Sequence, residues 1–372
     1  MQAISAKEKN KIKFNNADNA DFTNTLRKRV DNYFKENNIS KHGDTFNMYS
    51  KTFLLFCMYF IPFFMILTGY FSAWQMLGLV VIMGIGMAGI GCSVMHDGLH
   101  NAYSSSPFLN KIMGASLFLL GGYPFNWNIQ HNVLHHTYTN VYEHDEDIET
   151  KVILRLSPNA PLKWYHKYQY IYAFLLYTLM TFSFLVKDFI KVFRYNEDDF
   201  YAKPQNGNKW KELFVLSVTK IAYLGCVIIL PYYLLDLSLV QILLGFLIMH
   251  MVCGLILTVI FQLAHVVENT SHPMPNDEGN LENAWMIHQL YTTANFAKNN
   301  RLLNWYAGGL NYQVEHHLFP SICHIHYPKI SNIVKNTAQE FGLPYQENQS
   351  FLGAIYSHFK MLKALGNGTA QG

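Results

Sequence analysis

Four long apolar runs interrupt an otherwise mixed chain: Thr52–Tyr70, Trp74–Met95, Leu213–Leu235 and Leu239–Ala264. Each approaches or exceeds the roughly 20 residues that an α-helix needs to cross a hydrocarbon core at about 1.5 Å per residue. The tripeptide FSA joins the first two runs and DLS joins the last two. Connections this short suit antiparallel neighbours, so the pattern predicts two helical hairpins. Neither connection carries Lys or Arg, whereas both residues are plentiful before Thr52, between Lys111 and Lys211, and after Lys298. The positive-inside rule then puts both termini and the large middle segment in the cytoplasm.

A fifth run, Tyr170–Val186, has Lys163 and Lys167 before it and Lys187, Lys191 and Arg194 after it. Cationic flanks at both ends fit a helix lying along the cytoplasmic interface. Counting it as a span would move everything after it to the other side, so it is read as interfacial. The shorter Ala115–Pro124 is read as interfacial or re-entrant. Lys220, about two turns inside the third run, is placed to snorkel towards the cytoplasm. The expected fold is therefore all-α and integral to the membrane, with four transmembrane helices in two hairpins beneath a cytoplasmic helical cap. Residues 1–50 form an N-terminal cytoplasmic segment, 51–330 the membrane domain and 331–372 a C-terminal cytoplasmic segment.

Composition sharpens this picture. Of 372 residues, 50% are hydrophobic and only 14% charged, against about 25% charged in a soluble globular protein. Lipid is the solvent for much of this surface. A net charge of +3 is too small to argue for a nucleic-acid partner. The five cysteines form no C-x-x-C pair, and four of them sit in apolar runs, so they read as small buried hydrophobes. The polar first fifty residues give no sign of a cleavable signal peptide.

Histidine carries the chemistry. HDGLH (His96 to His100) closes the second run and places two imidazoles at i and i+4 on one helix face. HNVLHH (His131 to His136) repeats the device, QVEHH (Gln313 to His317) pairs its first residue with those at i+3 and i+4, and His265 ends the fourth run. The predicted topology brings all four groups to one membrane face. A lone HxxxH arises readily by chance, but three histidine boxes at span ends on one side point to a shared metal site. Eight imidazoles, from His96, His100, His131, His135, His136, His265, His316 and His317, exceed what one ion uses and suit two. Nitrogen-rich ligation fits iron, copper or zinc, and open positions on iron fit oxygen activation. Asp97 and Glu315, inside the boxes, are expected to orient imidazoles. Gln313, a poorer ligand than imidazole, is expected to coordinate weakly or to hold a metal-bound water.

The remaining histidines read differently. His250 lies about 22 Å along the helix axis from His265, too far for the same site, and is expected to be a satisfied polar residue in the bundle. His144, His166, His272, His288, His324 and His326 are expected at the surface or just outside the ligands. The acidic YEHDEDIE stretch, with Asp145 and Asp147, reads as a solvated loop, with a supporting role near HNVLHH as the alternative. Tyr70 and Trp74 fit an interfacial aromatic belt.

HDGLH, HNVLHH and QVEHH, in that order around two hairpins, resemble the three histidine boxes of the membrane fatty-acid desaturases, from about Met48 to Lys329. The resemblance implies a di-iron centre at the cytoplasmic face, built by the eight histidines above. It also implies an acyl chain drawn from the bilayer, O2 as co-substrate and two electrons per double bond. His265 matches an additional histidine of the family, but the asparagine four residues before it is Phe261 here, with Gln262 beside it. Glutamine at the head of QVEHH resembles the front-end desaturases, which act between an existing double bond and the carboxyl end. Those enzymes usually carry a fused cytochrome b5 domain with an HPGG motif. No HPGG occurs here, and fifty N-terminal residues are too few for that domain. Without a haem motif or flavin fingerprint, the chain is expected to draw electrons from a separate ferredoxin or cytochrome b5 type of donor. A lipid hydroxylase of the same superfamily is the nearest alternative. A non-catalytic metal-binding receptor or transporter is the more distant one, since the spans offer only Lys220 and His250 as ionisable groups.

Overall fold

The computed structural model describes residues 12–15, 20–150, 153–197 and 207–370. Of the expected terminal segments, residues 1–11, 16–19 and 371–372 lie outside the described residues. Among the described residues, four helices are long and apolar enough to cross a membrane. They are α2 (Phe46–Leu67), α3 (Ala73–Leu99), α8 (Lys209–Leu234) and α9 (Leu239–His265). The other principal helices are α1 (Ala20–Glu36), α4 (Pro107–Leu120), α5 (Asn128–His135), α6 (Trp164–Tyr177), α7 (Met180–Glu197), α10 (Trp285–Thr292), α11 (Arg301–Tyr306), α12 (Gln313–Leu318), α13 (Tyr327–Glu340) and α14 (Phe351–Asn367).

Helix α3 starts on a capping box. The Ser72 hydroxyl accepts from Gln75 N while the Gln75 side chain accepts from Ser72 N, satisfying two donors the helix leaves open. Two stretches of wider π-helical winding, Ile90–Met95 within α3 and α5 itself, adjoin or contain the histidine boxes. The fifth apolar run forms not one helix but α6 and α7, bent by 83° at the break between them.

Contacts divide the chain into two compact units. The first comprises the described residues of Met1–Gly43, Ile129–Ala173 and Ile260–Gly372, so it draws on both chain ends and part of the middle. Its core packs Phe22, Leu26 and Val30 of α1 with Ile330 and Val334 of α13 and with Met286, Val314 and Leu318. Two short parallel pairings stiffen it: Lys13–Phe14 with Asn280–Leu281, and Ala294–Phe296 with Gln346–Asn348.

The second unit, the described residues of Asp44–Asn128 and Phe174–Val259, holds most of the spans. Helices α2 and α3 pack closely within it, and a Cβ on Gly86 would come within 2.9 Å of the Met58 backbone. Large apolar side chains such as Phe53, Phe64, Trp74, Phe214, Ile221 and Val240 are exposed, as a lipid-facing surface requires. Lys220 does not snorkel. It is buried and paired with Asp188 of α7 at 2.7 Å, and it also donates to the carbonyls of Phe184 and Gly121. Two anchored charges cost less together than one dragged through lipid, and the acidic partner comes from the helix read as interfacial. His250 is satisfied within the bundle as expected, with Tyr223 OH at 2.7 Å and Thr181 Oγ1 at 2.9 Å. All five cysteines are free; Cys92, Cys253 and Cys323 are buried, but Cys57 is half-buried and Cys226 exposed.

Candidate metal centre

Six of the eight expected ligands lie in the first unit and come together there. One ligand atom from each of His135, His265 and His317 lies within 4.8 Å of the others, and His136, His316 and His317 form a second such group. His317 belongs to both. The rings of His265 and His317 have centroids 4.8 Å apart, and those of His136 and His317 4.4 Å. All six side chains are buried.

Local winding explains the second box. In α5 the π-helical turn brings residue i+5 beneath residue i, so His131 Nε2 and His136 Nε2 are 3.2 Å apart. An ordinary α-helical turn brings i+3 and i+4, not i+5, alongside residue i. The third box sits on the six-residue helix α12, entered through Gly308 and Gly309, both at positive φ. A side chain on Gly309 would meet His324 Cβ at 2.8 Å, so glycine is required there. Helical spacing puts Gln313, His316 and His317 on one face of α12 and Glu315 on the opposite one.

The outer nitrogen of several imidazoles is already engaged by protein, which settles which nitrogen is left for an ion. His135 Nδ1 bonds to both Asp145 oxygens at 3.1 Å. His265 Nδ1 faces the Thr292 carbonyl at 3.3 Å. A carbonyl only accepts, so the His265 proton belongs on Nδ1, and its buried Nε2 has no hydrogen-bond partner. Burial by itself would lower the pKa of His135, but the facing carboxylates of Asp145 and Asp147 outweigh it and hold the group up to about 9. Both polar atoms of the buried Gln313 amide likewise lack a partner. Buried polar atoms in this condition are costly, and a cation that accepts nitrogen lone pairs relieves the cost. The donor set therefore fits a metal centre.

Asp145 is the orienting carboxylate of this site, not a solvated loop residue. It is fully buried and also accepts from the Asn140 and Asp147 amides. Glu315 does not take the expected role. Its carboxylate accepts from Asn295 Nδ2 at 2.8 Å and Tyr345 OH at 2.7 Å, because it projects from the far face of α12. Asn295 Oδ1 in turn accepts from Val314 N, so this network fixes the helix rather than an imidazole. Asp97 is buried near the end of α3. Phe261 packs against the His131 ring at 6.0 Å, and Gln262 beside it is buried with no partner on its side-chain oxygen.

Sequence reading missed Asn140 and α10. Asn140 adopts a left-handed φ of 60°, and its amide donates to the carbonyls of His265, Ser271 and Thr292. Helix α10 holds the end of the second box through Trp285 Nε1 to His136 O at 3.0 Å and His288 Nε2 to Thr139 O at 2.9 Å. His144, His166, His272, His288 and His324 are all buried, so none of them is a surface residue. Asparagine before a loop signals tolerance of positive φ, but nothing local reveals what its amide will reach.

The other two expected ligands, His96 and His100, lie in the second unit. They are buried at the end of α3 with ring centroids 4.6 Å apart, and Trp127 packs edge-on against both.

Comparison with known proteins agrees with this chemistry. The family model described as fatty acid desaturase matches residues 72–349. A sn-1 linoleoyl-lipid 6-desaturase of Synechocystis sp. is 38% identical, over 93% of this chain and 95% of its own. A protein of the same description from Arthrospira platensis is 34% identical, with 92% of each chain covered. An acyl-lipid (8-3)-desaturase of Physcomitrium patens is 33% identical over 95% of this chain and 74% of its own. The chain is a membrane enzyme of the fatty acid desaturase family.

Proposed function

We propose that this desaturase uses two iron ions and O2 to introduce a double bond at position 6 of a lipid-linked linoleoyl chain. The observation that carries the position and the lipid linkage is the extent of the likeness to two linoleoyl-lipid 6-desaturases, which spans nearly the whole of all three chains. The glutamine that begins QVEHH, shared in pattern with front-end enzymes, supports the same regiochemistry.

The proposed ligands are His96, His100, His131, His135, His136, His265, His316 and His317. Iron, when bound, supplies with O2 and two electrons the oxidising power that takes one hydrogen from each of two adjacent methylenes. The protein's part is to orient the imidazoles. Asp145 holds His135 Nδ1–H and the Thr292 carbonyl holds His265 Nδ1–H, so that Nε2 of each is the nitrogen for the ion, and His135 gives up on binding it the second proton that Asp145 and Asp147 stabilise. Gln313, on the ligand face of α12, is assigned to a weak contact or to a metal-bound water. The spans form two hairpins beneath a cap that holds the histidines, with both termini and the site cytoplasmic; the distribution of Lys and Arg supports this sidedness. Electrons come from a separate ferredoxin or cytochrome b5 type of protein.

Expression in a host that lacks polyunsaturated lipids, fed linoleate, tests the reading. Lipid extracts should contain a triene with its new double bond at position 6, first in intact lipids and not in acyl-CoA. A hydroxylated product, or a new bond on the methyl side of the existing ones, would end it.

A further inference from the structure

Gln289, on α10, connects the second and third histidine boxes through three contacts. Its Nε2 donates to the His136 carbonyl at 3.2 Å. Its Oε1 lies 2.9 Å from His317 Nδ1 and 2.8 Å from Thr139 Oγ1. The residue is fully buried, as are His317 and Thr139.

The direction of these bonds follows from elementary chemistry. The His136 carbonyl only accepts, so the Gln289 NH2 must face it and the amide oxygen must face His317. An amide oxygen only accepts, so His317 Nδ1 must carry the proton. Nε2 of His317 is then the lone-pair nitrogen, and His317 is the residue shared by the two imidazole groups of the first unit. The neighbouring Thr139 hydroxyl has one proton to give, to the His135 carbonyl at 2.7 Å or to Gln289 Oε1 at 2.8 Å; its oxygen, 3.3 Å from His317 Nδ1, is a more distant acceptor for the His317 proton than Gln289 Oε1 at 2.9 Å. Leu, Met or Ala at position 289 would leave a buried carbonyl, a buried hydroxyl and a buried imidazole N–H each without this partner.

We propose that Gln289 is a positioning residue for the metal centre: it sets the tautomer and ring orientation of His317 and ties that ring to the backbone of the second box. The proposal rests on the metal-centre reading above. No signal in the sequence marks it, because a lone glutamine in WMIHQL is an ordinary helix residue, and the neighbouring His288 is the more conspicuous one.

The full-length protein, purified from membranes grown on 57Fe, provides the test. Outer partners of metal ligands typically contribute about 10–100-fold to metal affinity. Q289L should therefore lose iron to a chelator at equilibrium with about 10–100-fold lower affinity than wild type. Q289E keeps an acceptor for His317 Nδ1 but loses the donor to His136. It should keep more iron than Q289L, and the Mössbauer doublet of one iron should shift while the other stays. Wild-type iron affinity in Q289L would overturn the proposal. If Q289L does not yield folded protein, Q289E alone decides: a one-site change in the doublet supports the proposal, and a wild-type spectrum overturns it. Wild-type protein that is active without iron would instead remove the metal-centre reading on which the proposal rests.

Discussion

The buried polar cluster around His250 and the one around His265 are built on opposite principles. In the spans, His250 has a partner at each ring nitrogen, Tyr223 and Thr181, and Lys220 is matched by Asp188. In the first unit, His265 is held at Nδ1 by the Thr292 carbonyl while Nε2 is buried without a partner, and the Gln313 amide is buried with none at all. Burial and nitrogen content are similar. On the proposed reading, a ligand histidine keeps one nitrogen for the ion, whereas His250 has both engaged by protein. The closed cluster contributes to helix packing; the open one is the candidate for an ion.

This contrast can be broken most severely at the open cluster. His265→Ala removes a proposed ligand and should lower desaturation below about 1% of wild type, with iron lost in parallel. Iron content and fatty-acid profile measured on one preparation check it, and retained iron with full activity would place His265 among the structural histidines.

In the closed cluster, Lys220→Met strands the Asp188 carboxylate in the bundle. Leaving one member of a buried pair costs about 3–5 kcal/mol, whereas replacing both with apolar residues is often neutral. Thermal unfolding in detergent should therefore show Lys220→Met well below wild type and the Lys220→Met, Asp188→Leu double variant close to it. Equal loss in the single and double variants would mean that the pair is not an independent unit.

Asp145→Asn sharpens the comparison from the second ring of contacts. It removes the carboxylate that holds His135 Nδ1–H, and iron affinity should fall by about 10–100-fold in chelator competition. Unchanged affinity would show that the backbone alone orients His135. The smallest effect is expected for His250→Gln, which retains a donor and an acceptor. It should cost about 1 kcal/mol of stability and leave the iron count at the wild-type value. Iron loss in that variant would contradict the division between open and closed clusters.

The four spans were legible because each apolar run is long enough to decide its own structure. In lipid a backbone must satisfy its hydrogen bonds within the segment, so length and hydropathy suffice, and the observed ends differ by at most six residues, at the start of the first helix. The first two boxes were legible for a related reason: HxxxH places two imidazoles on one helical face wherever the helix lies. Cationic flanks around residues 170–186 gave no hint of the 83° bend between α6 and α7, because a bend depends on what the two halves pack against. The same limit hid the pairing of Lys220 with Asp188, 32 residues apart in the chain.

The sequence by itself determined the helical class, the four apolar helices and the identity of the imidazoles, since these depend on hydropathy, spacing and residue chemistry within a few turns. Only the tertiary structure decided which atoms orient those imidazoles. Asp145 turned inward and Glu315 outward because helix phase and loop geometry, not residue type, aim a carboxylate. Gln289 reaches His317 from 28 residues away, and Asn140 reaches the His265 carbonyl from 125. Such contacts exist only after distant segments have packed, and a side-chain amide has no local pattern that announces its partner.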